Sequence, residues 1–221
     1  MLDVTSSANS DAGKLRAYGG ESGDARVARR RAALIDAALD MLAEPEPGAV
    51  TVRGICTRAE LTPRYFYESF ENADALVGAA YDLIIEQIAE RALEGFNAGS
   101  GPRGKVAGAV EAIVDIIAGD PRKGRVFFSD TLRSPVVAAK RVEMLALFTQ
   151  LTFQSAPEVA DVTGGQETLA AAHFQVGGLG RLLASWTEGL VDLDRAALVD
   201  ICVRMLLPES RTVDSPAAQL S

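Results

Sequence analysis

Residues 51–76 read TVRGICTRAELTPRYFYESFENADAL, two short helical patterns separated by a polar break. Thr51 is placed to cap the first helix, with Val52, Ile55, Cys56 and Ala59 on one face at helical spacing. Glu60, Leu61 and Thr62 make the turn. Thr62 then caps a second helix, and Pro63 takes its first position, where a missing N–H costs nothing. Phe66 and Phe70 face inward at i and i+4, leaving Arg64, Tyr65 and Glu68 directed elsewhere. A short helix that buries two aromatics and projects an arginine and a tyrosine suits a major groove. The stretch therefore predicts a DNA-binding helix-turn-helix.

Outward from this motif the pattern stays helical. On its N-terminal side a helix is expected from near Asp24 to Leu42, with Leu34, Ile35, Ala38, Leu39 and Leu42 along one stripe. EPEPG, from Glu44 to Gly48, ends it. Residues 1–23 are rich in Ser, Gly, Ala and Asp without periodicity and read as a disordered arm. On the C-terminal side Asn72 or Asp74 opens a long helix through Leu76, Tyr81, Ile84, Ile85, Ile88, Leu93 and Phe96. NAGSGP, Asn97 to Pro102, breaks it, and a helix from about Arg103 to Ala118 follows. Asp120-Pro121 and Ser134-Pro135 each start a further helix by the cap-then-proline device. The second of these runs to about Ser155. Gly164-Gly165 leads into a long helix from Gln166 to Glu188, and Asp192 or Asp194 caps a last one ending before Pro208. No strand pattern and no fixed-period repeat is visible. The expectation is an all-α chain of about nine helices: a three-helix DNA-binding domain at 24–72, a second helical domain at 73–207, to which the family resemblance below assigns effector binding and dimerisation, and a flexible tail at 208–221.

Composition sets the bounds. With 221 residues and 48% hydrophobic side chains, the chain can bury a sizeable core. No apolar run reaches the ~18 residues of a membrane span, and the first residues, MLDVTSSANSDAGK, carry no signal-peptide pattern. Cys56 and Cys202 sit among apolar residues in distant regions and read as packing rather than a disulfide, which fits a reducing cytoplasm. The net charge is −8, yet residues 26–70 hold seven arginines against six carboxylates. The arginines Arg26, Arg29, Arg30, Arg31, Arg53, Arg58 and Arg64 crowd the start of one helix and the two helices of the motif. A locally basic face on an acidic body is compatible with phosphate contact and with salt-sensitive binding.

The last two long helices carry a second signal. Leu169, His173, Val176, Gly177, Gly180, Leu183 and Trp186 line one face of the first by helical spacing. Leu198, Ile201, Cys202, Met205 and Leu206 make the second apolar over much of its surface. Mid-helix glycines cost about 1 kcal/mol each relative to alanine unless close packing compensates. Gly177, Gly178 and Gly180 would let another helix approach, as in a two-fold four-helix interface between two copies. The alternative is that these helices complete the core of a single copy.

Over residues 26–82 the chain resembles the tetracycline-repressor (TetR) family of bacterial transcriptional regulators. The likeness rests on a basic-started first helix, TVRGIC, a turn, a short helix ending YFYESF, and a new helix at ADALVGAAYD. Beyond Asp82 only the layout of helices is similar. The resemblance implies a first domain that reads DNA and a second that dimerises and holds a small-molecule pocket. It implies phosphate contacts at Thr51, Thr62 and Tyr67, and base or backbone contacts at Arg64 and Tyr65, with Arg29, Arg30 and Arg53 in the same basic face. An arginine at position 64 could make a bidentate guanine contact, worth about 1–3 kcal/mol of discrimination. The partners implied are a palindromic double-stranded DNA operator, a second copy bound through the two C-terminal long helices, and an apolar or amphipathic small molecule, with no cofactor. Two positions depart from the family pattern: Glu60 stands where Gly is common in the turn, and Ala73 where a Lys often opens the fourth helix.

Candidate effector-pocket residues are Phe127, Phe128, Met144, Phe148, Phe153, Phe174 and Trp186, with His173 as a polar handle. Each is also an ordinary core candidate. Against catalysis stand a single histidine, no Cys pair at metal spacing and no carboxylate cluster. GGLG at Gly177–Gly180 lies inside a helical pattern and lacks the Lys-Ser/Thr that follows a phosphate loop. The expected function is a DNA-binding transcriptional regulator, a repressor released by a small molecule. The alternative is a helical protein-interaction module whose DNA-reading surface is degenerate.

Overall fold

A computed structural model describes residues 23–44, 48–128, 134–162 and 164–207. The arm at 1–22, the centre of the EPEPG loop and the tail at 208–221 lie outside the described residues. Those described form nine α-helices and no strand. They are α1 (Gly23–Leu42), α2 (Val52–Arg58), α3 (Pro63–Tyr67), α4 (Ala73–Ala98), α5 (Gly101–Gly119), α6 (Pro121–Phe128), α7 (Pro135–Ser155), α8 (Gln166–Thr187) and α9 (Arg195–Leu206). One 3-10 turn, Ala156–Glu158, follows α7 and had no signature in the sequence.

The helix boundaries follow their capping chemistry. Thr51 Oγ1 accepts from the Gly54 N–H at 3.2 Å, Asn72 from Ala75 at 2.8 Å, and Asp194 from Ala197 at 2.8 Å. Each satisfies one of the orphan amides of a first turn. Thr62 occupies the cap position of α3, but its hydroxyl makes no capping bond. α3 is also shorter than the pattern suggests, ending at Tyr67, with Phe70 held in the following turn by its N–H to Phe66 O at 2.9 Å.

The end of α2 shows how the turn manages without glycine. Leu61 N–H donates to Cys56 O at 2.9 Å and Glu60 N–H to Thr57 O at 3.4 Å, the paired bonds of a Schellman cap. That cap needs a left-handed residue after the helix, and Glu60 supplies it with φ 54°. A residue with a Cβ pays about 1–2 kcal/mol for this conformation. Among the described residues Glu60 is the one non-glycine at positive φ.

Two apolar clusters hold the helices. The first joins α1, α2, α3, α4, α6 and α7 through Leu34, Leu39, Ile55, Phe66, Leu76, Tyr81, Ile84, Val126 and Val137, so head and body share one core. Phe66 is fully buried, which alone contributes about 1.5–3 kcal/mol. The second cluster joins α5, α8 and α9 through Val110, Val114, Ile117, Leu183, Leu198 and Cys202, and Ile113 and Phe128 touch both. Cys56 and Cys202 are free and buried, one in each cluster. Burial pushes both thiols up, Cys202 to about 11.

Glycine permits close helix approach here, but between α4 and α5. A Cβ on Gly95 would stand 2.2 Å from Gly108 O, and one on Gly99 would stand 2.3 Å from Gly104 O, so backbone packs on backbone. Gly177, Gly178 and Gly180 instead have nothing within 4 Å of an added Cβ. The inward face of α8 is Thr168, Ala172, Leu183 and Ala184, rotated from the expected one. His173 and Gly177 point out of the chain's own core.

Candidate nucleic-acid interface and effector core

Thr51, Arg53, Thr62, Arg64 and Tyr67 are exposed on α2, α3 and their caps, and Arg29 is exposed near the start of α1. Tyr67, 62% exposed, stands edge-on to buried Phe66 with ring centroids 5.3 Å apart. The aromatic pair anchors the helix while leaving the Tyr67 hydroxyl end in solvent.

Arg30 and Tyr65 sit differently. The Arg30 guanidinium lies 4.3 Å over the Tyr65 ring and donates to Glu68 Oε2 at 3.1 Å. Both side chains are half-buried by this contact between α1 and α3. Glu68 also faces Arg64, Nε to Oε1 at 3.5 Å, one turn away on the same segment. A single carboxylate thus engages two of the predicted DNA-contacting arginines. Arg31 lies 4.9 Å over the Phe70 ring, and Arg58 is paired with Glu44 at 2.8 Å. Apart from the i,i+4 pair Arg64–Glu68, these pairings had no signature in the sequence, because the partners lie 14 to 39 residues apart.

The eight candidate pocket residues divide. Phe127, Phe128, Met144 and Phe148 come together in the first cluster. Phe127 stacks on Tyr81 at 5.7 Å and meets Phe128 and Phe148 edge-on at 5.0 and 6.4 Å. Phe153 is half-buried at the far end of α7, beside Gly164. Trp186 belongs to the second cluster, its indole N–H donating to Leu193 O at 2.9 Å. His173 and Phe174 face outward on α8, Phe174 being 82% exposed. These two point away from the cluster of Phe127, Phe128, Met144 and Phe148. They belong to an outer strip of α8 with Ala170, Ala171, Gly177 and Gly178.

Two residues that sequence reasoning did not single out occupy the junctions. Tyr81 is fully buried, and its hydroxyl donates to Phe127 O at 3.0 Å, fastening α4 to α6. Its pKa is raised, chiefly by burial, with a hydrogen bond from Arg141 acting the other way. Arg122, at the start of α6, reaches Asp40 at 2.6 Å and Asp36 at 2.9 Å on α1, and Asp120 at 2.9 Å. Hydrogen bonds from Arg122 hold the Asp120 carboxyl below the usual aspartate range. The same carboxylates, Asp120 first, raise the Arg122 pKa, so it is charged at every working pH. Among the described residues no group of His, Cys, Asp and Glu could hold a metal ion, and no helix is long and apolar enough to cross a membrane.

A three-helix head bearing a helix-turn-helix, fused through one long helix to a helical body, is the fold of the TetR-family transcriptional regulators. The fatty acid degradation regulator FadR from Bacillus halodurans superposes with a TM-score of 0.71 at 19% identity, covering 87% of this chain and 99% of that one. FadR from Bacillus subtilis, solved in complex with stearoyl-CoA, gives 0.64 at 19% identity over 80% of this chain and 97% of its own. AibR, solved with isovaleryl coenzyme A and operator DNA, gives 0.57 at 15% identity over 81% and 98%. No family model and no curated protein sequence matches the chain.

Proposed function

We propose that this chain is a sequence-specific DNA-binding transcriptional regulator of the cytoplasm, non-catalytic, and a repressor released by a small molecule. The observation that carries the reading is the common exposure of Thr51, Arg53, Thr62, Arg64 and Tyr67 on a helix-turn-helix whose aromatic side is buried. In this reading α3 enters the major groove, with Arg64 at a base edge and Thr51, Thr62 and Tyr67 on phosphates. The unengaged Thr62 hydroxyl suits that task. Arg29, Arg30 and Arg53 add local positive charge, in a chain that has Ala73 where a lysine anchor could stand.

Two copies would pair through α8 and α9 and read a palindromic operator with half-sites about 34–36 Å apart or somewhat more. Phe174, Gly177 and Gly178 support this pairing, since they form an outward strip of α8 with no cover inside the chain, and Met205 of α9 is exposed as well. The effector would be apolar or amphipathic and lie against Phe127, Phe128, Met144 and Phe148. The acyl-CoA ligands of two solved neighbours support an amphipathic molecule. Its force would pass along α4, and through α6 and Arg122 to α1. A coupling of about 1–3 kcal/mol would change operator occupancy about 5–150-fold.

The test is selection of bound sequences from a random duplex pool, then titration of the winner at ~150 mM salt with the unaltered chain and Arg64→Ala. A palindromic winner bound about 10³-fold more tightly than scrambled DNA, and weakened by Arg64→Ala, is the expected result. A pool without enrichment would sink the DNA-reading function and point to a protein-interaction module.

A further inference from the structure

Arg64 is the second residue of α3, and Glu68 stands at the C-cap of the same helix. The carboxylate divides its two oxygens between two arginines. Oε2 accepts from Arg30 Nη2 at 3.1 Å, and Oε1 stands 3.5 Å from Arg64 Nε. Arg30 is itself fixed, its guanidinium lying 4.3 Å over the Tyr65 ring between α1 and α3. Its side chain is 21% exposed, against 85% for Arg64. One arginine therefore anchors the carboxylate, and the other is held by it. Helix stability does not account for the second contact. An arginine ahead of its acid at i,i+4 is the weaker order, and it sets the acid at the negative end of the helix. An exposed pair of this kind contributes little in any case. What the contact does fix is direction. It takes up the Nε edge of Arg64 and leaves both Nη groups, the end of the fork, with no other ion pair among the described residues. Two donors in one plane are what guanine O6 and N7 accept.

We propose that Glu68 is a positioning residue that sets base specificity: anchored through Arg30 on Tyr65, it aims Arg64 end-on at a guanine in the major groove. This rests on the reading of α3 as the DNA-reading helix and adds what decides its base preference. An unheld arginine on an exposed helix reaches phosphates and bases alike, and it loses rotamer freedom when it binds. A held one has given up part of that freedom beforehand, so its guanine contact gains. The carboxylate beside it opposes stray phosphate contacts, a repulsive element of the kind that specific interfaces use. Glu68 thus weakens binding to DNA in general and sharpens it at one base pair. Arg30, one of the arginines of the basic face, acts on DNA through Glu68.

The rival accounts are a carboxylate that only repels DNA and one that only pins α3 to α1. The test takes the duplex selected from a random pool and its single-base-pair changes in one half-site, titrated with the full chain and its variants. The unaltered chain should lose about 5–150-fold at one guanine pair. Arg64→Ala should abolish that penalty, which marks the pair Arg64 reads. Glu68→Asp keeps the charge but shortens the reach by one methylene. Glu68→Asp and Glu68→Ala should each cut the penalty at that pair to a few-fold and leave those at the other pairs as they were. Only Glu68→Ala should bind scrambled duplex several-fold more tightly. The double variant Arg64→Ala/Glu68→Ala should match Arg64→Ala at that pair. A carboxylate acting by charge alone would let Glu68→Asp keep the full penalty. A mere pin would lower all the penalties together, along with the thermal midpoint. Either result, or an Arg64→Ala variant that keeps every penalty, overturns the proposal while the enriched sequence leaves the regulator reading standing. A pool without enrichment sinks that reading, and this proposal with it.

Discussion

Arg122 Nη1 stands 2.6 Å from Asp40 Oδ1, so the first turn of α6 is tied directly to α1 of the N-terminal helices. Asp36, one turn back on α1, shares the same guanidinium at 2.9 Å. Together with the Tyr81–Phe127 bond, this gives α6 one attachment to α4 and another to the head. Arg122→Met is expected to lower stability by about 1–2 kcal/mol, since its side chain is one-third exposed and partly screened. The larger effect should fall on the head: operator binding by Arg122→Met should respond less to any effector. Chemical denaturation and DNA anisotropy with and without ligand check the two parts.

Asp120 sets a pH dependence. Its folded pKa is depressed below 3.8, first by the hydrogen bond from Arg122. A depressed carboxylate contributes stability that is present above the unfolded pKa and lost as pH falls through the folded one. The thermal midpoints of the unaltered chain and Asp120→Asn should therefore differ at pH 5–7 and converge below about pH 4. A gap that widens on acidification would contradict the assigned ion pair.

Glu60 offers the opposite case, a substitution that should help. Glu60→Gly removes the Cβ from a left-handed residue at φ 54° and retains both bonds of the cap. Stability should rise by about 1 kcal/mol, moving the thermal midpoint of a chain this long up by about 2–4 °C. A fall would mean that α2 does not end in a Schellman cap.

Gly95→Ala should be among the most damaging single methyl additions in the body. The new Cβ would meet the Gly108 carbonyl at 2.2 Å, and backbone cannot yield as a side chain does. The expected loss is about 3 kcal/mol. Gly177→Ala is the control, having open space within the chain. It should raise helix stability by up to about 1 kcal/mol unless a second copy covers it. Denaturant midpoints at two protein concentrations separate these outcomes.

Glu68 pairs with Arg30 and Arg64, and in the proposed DNA complex it would compete with phosphate for both. Glu68→Gln should raise affinity for scrambled duplex several-fold and steepen its salt dependence by about one counterion. Phe174→Glu addresses the other end: it should convert a dimer to a monomer in sedimentation and weaken a palindromic site far more than a half-site.

How far the sequence could be read depended on the range of the interaction concerned. Thr51, Asn72, Ser134 and Asp194 stand at the caps where local chemistry placed them, because a cap is decided within four residues. Phe66 and Phe70 were legible as inward residues from their spacing, and both are buried. At Glu60 the sequence left two outcomes open, a turn without positive φ or a strained left-handed residue, and the structure has the second. The outward face of α8 was not. Its glycines and alanines dilute the apolar pattern, so helical spacing alone could not say which stripe faces α7 and α6 and which faces out.

The sequence by itself determined the helices, their ends and the helix-turn-helix, since these follow from hydrogen bonds and apolar periods within a few turns of chain. Tertiary structure decided the rest. It placed Glu68 between Arg30 and Arg64, set Gly95 against Gly108, carried Arg122 to Asp36 and Asp40, and turned Arg141 into the aromatic core with one donor unspent. Apart from the i,i+4 pair Arg64–Glu68, each depends on how different helices pack against one another, and no local pattern of residues encodes that.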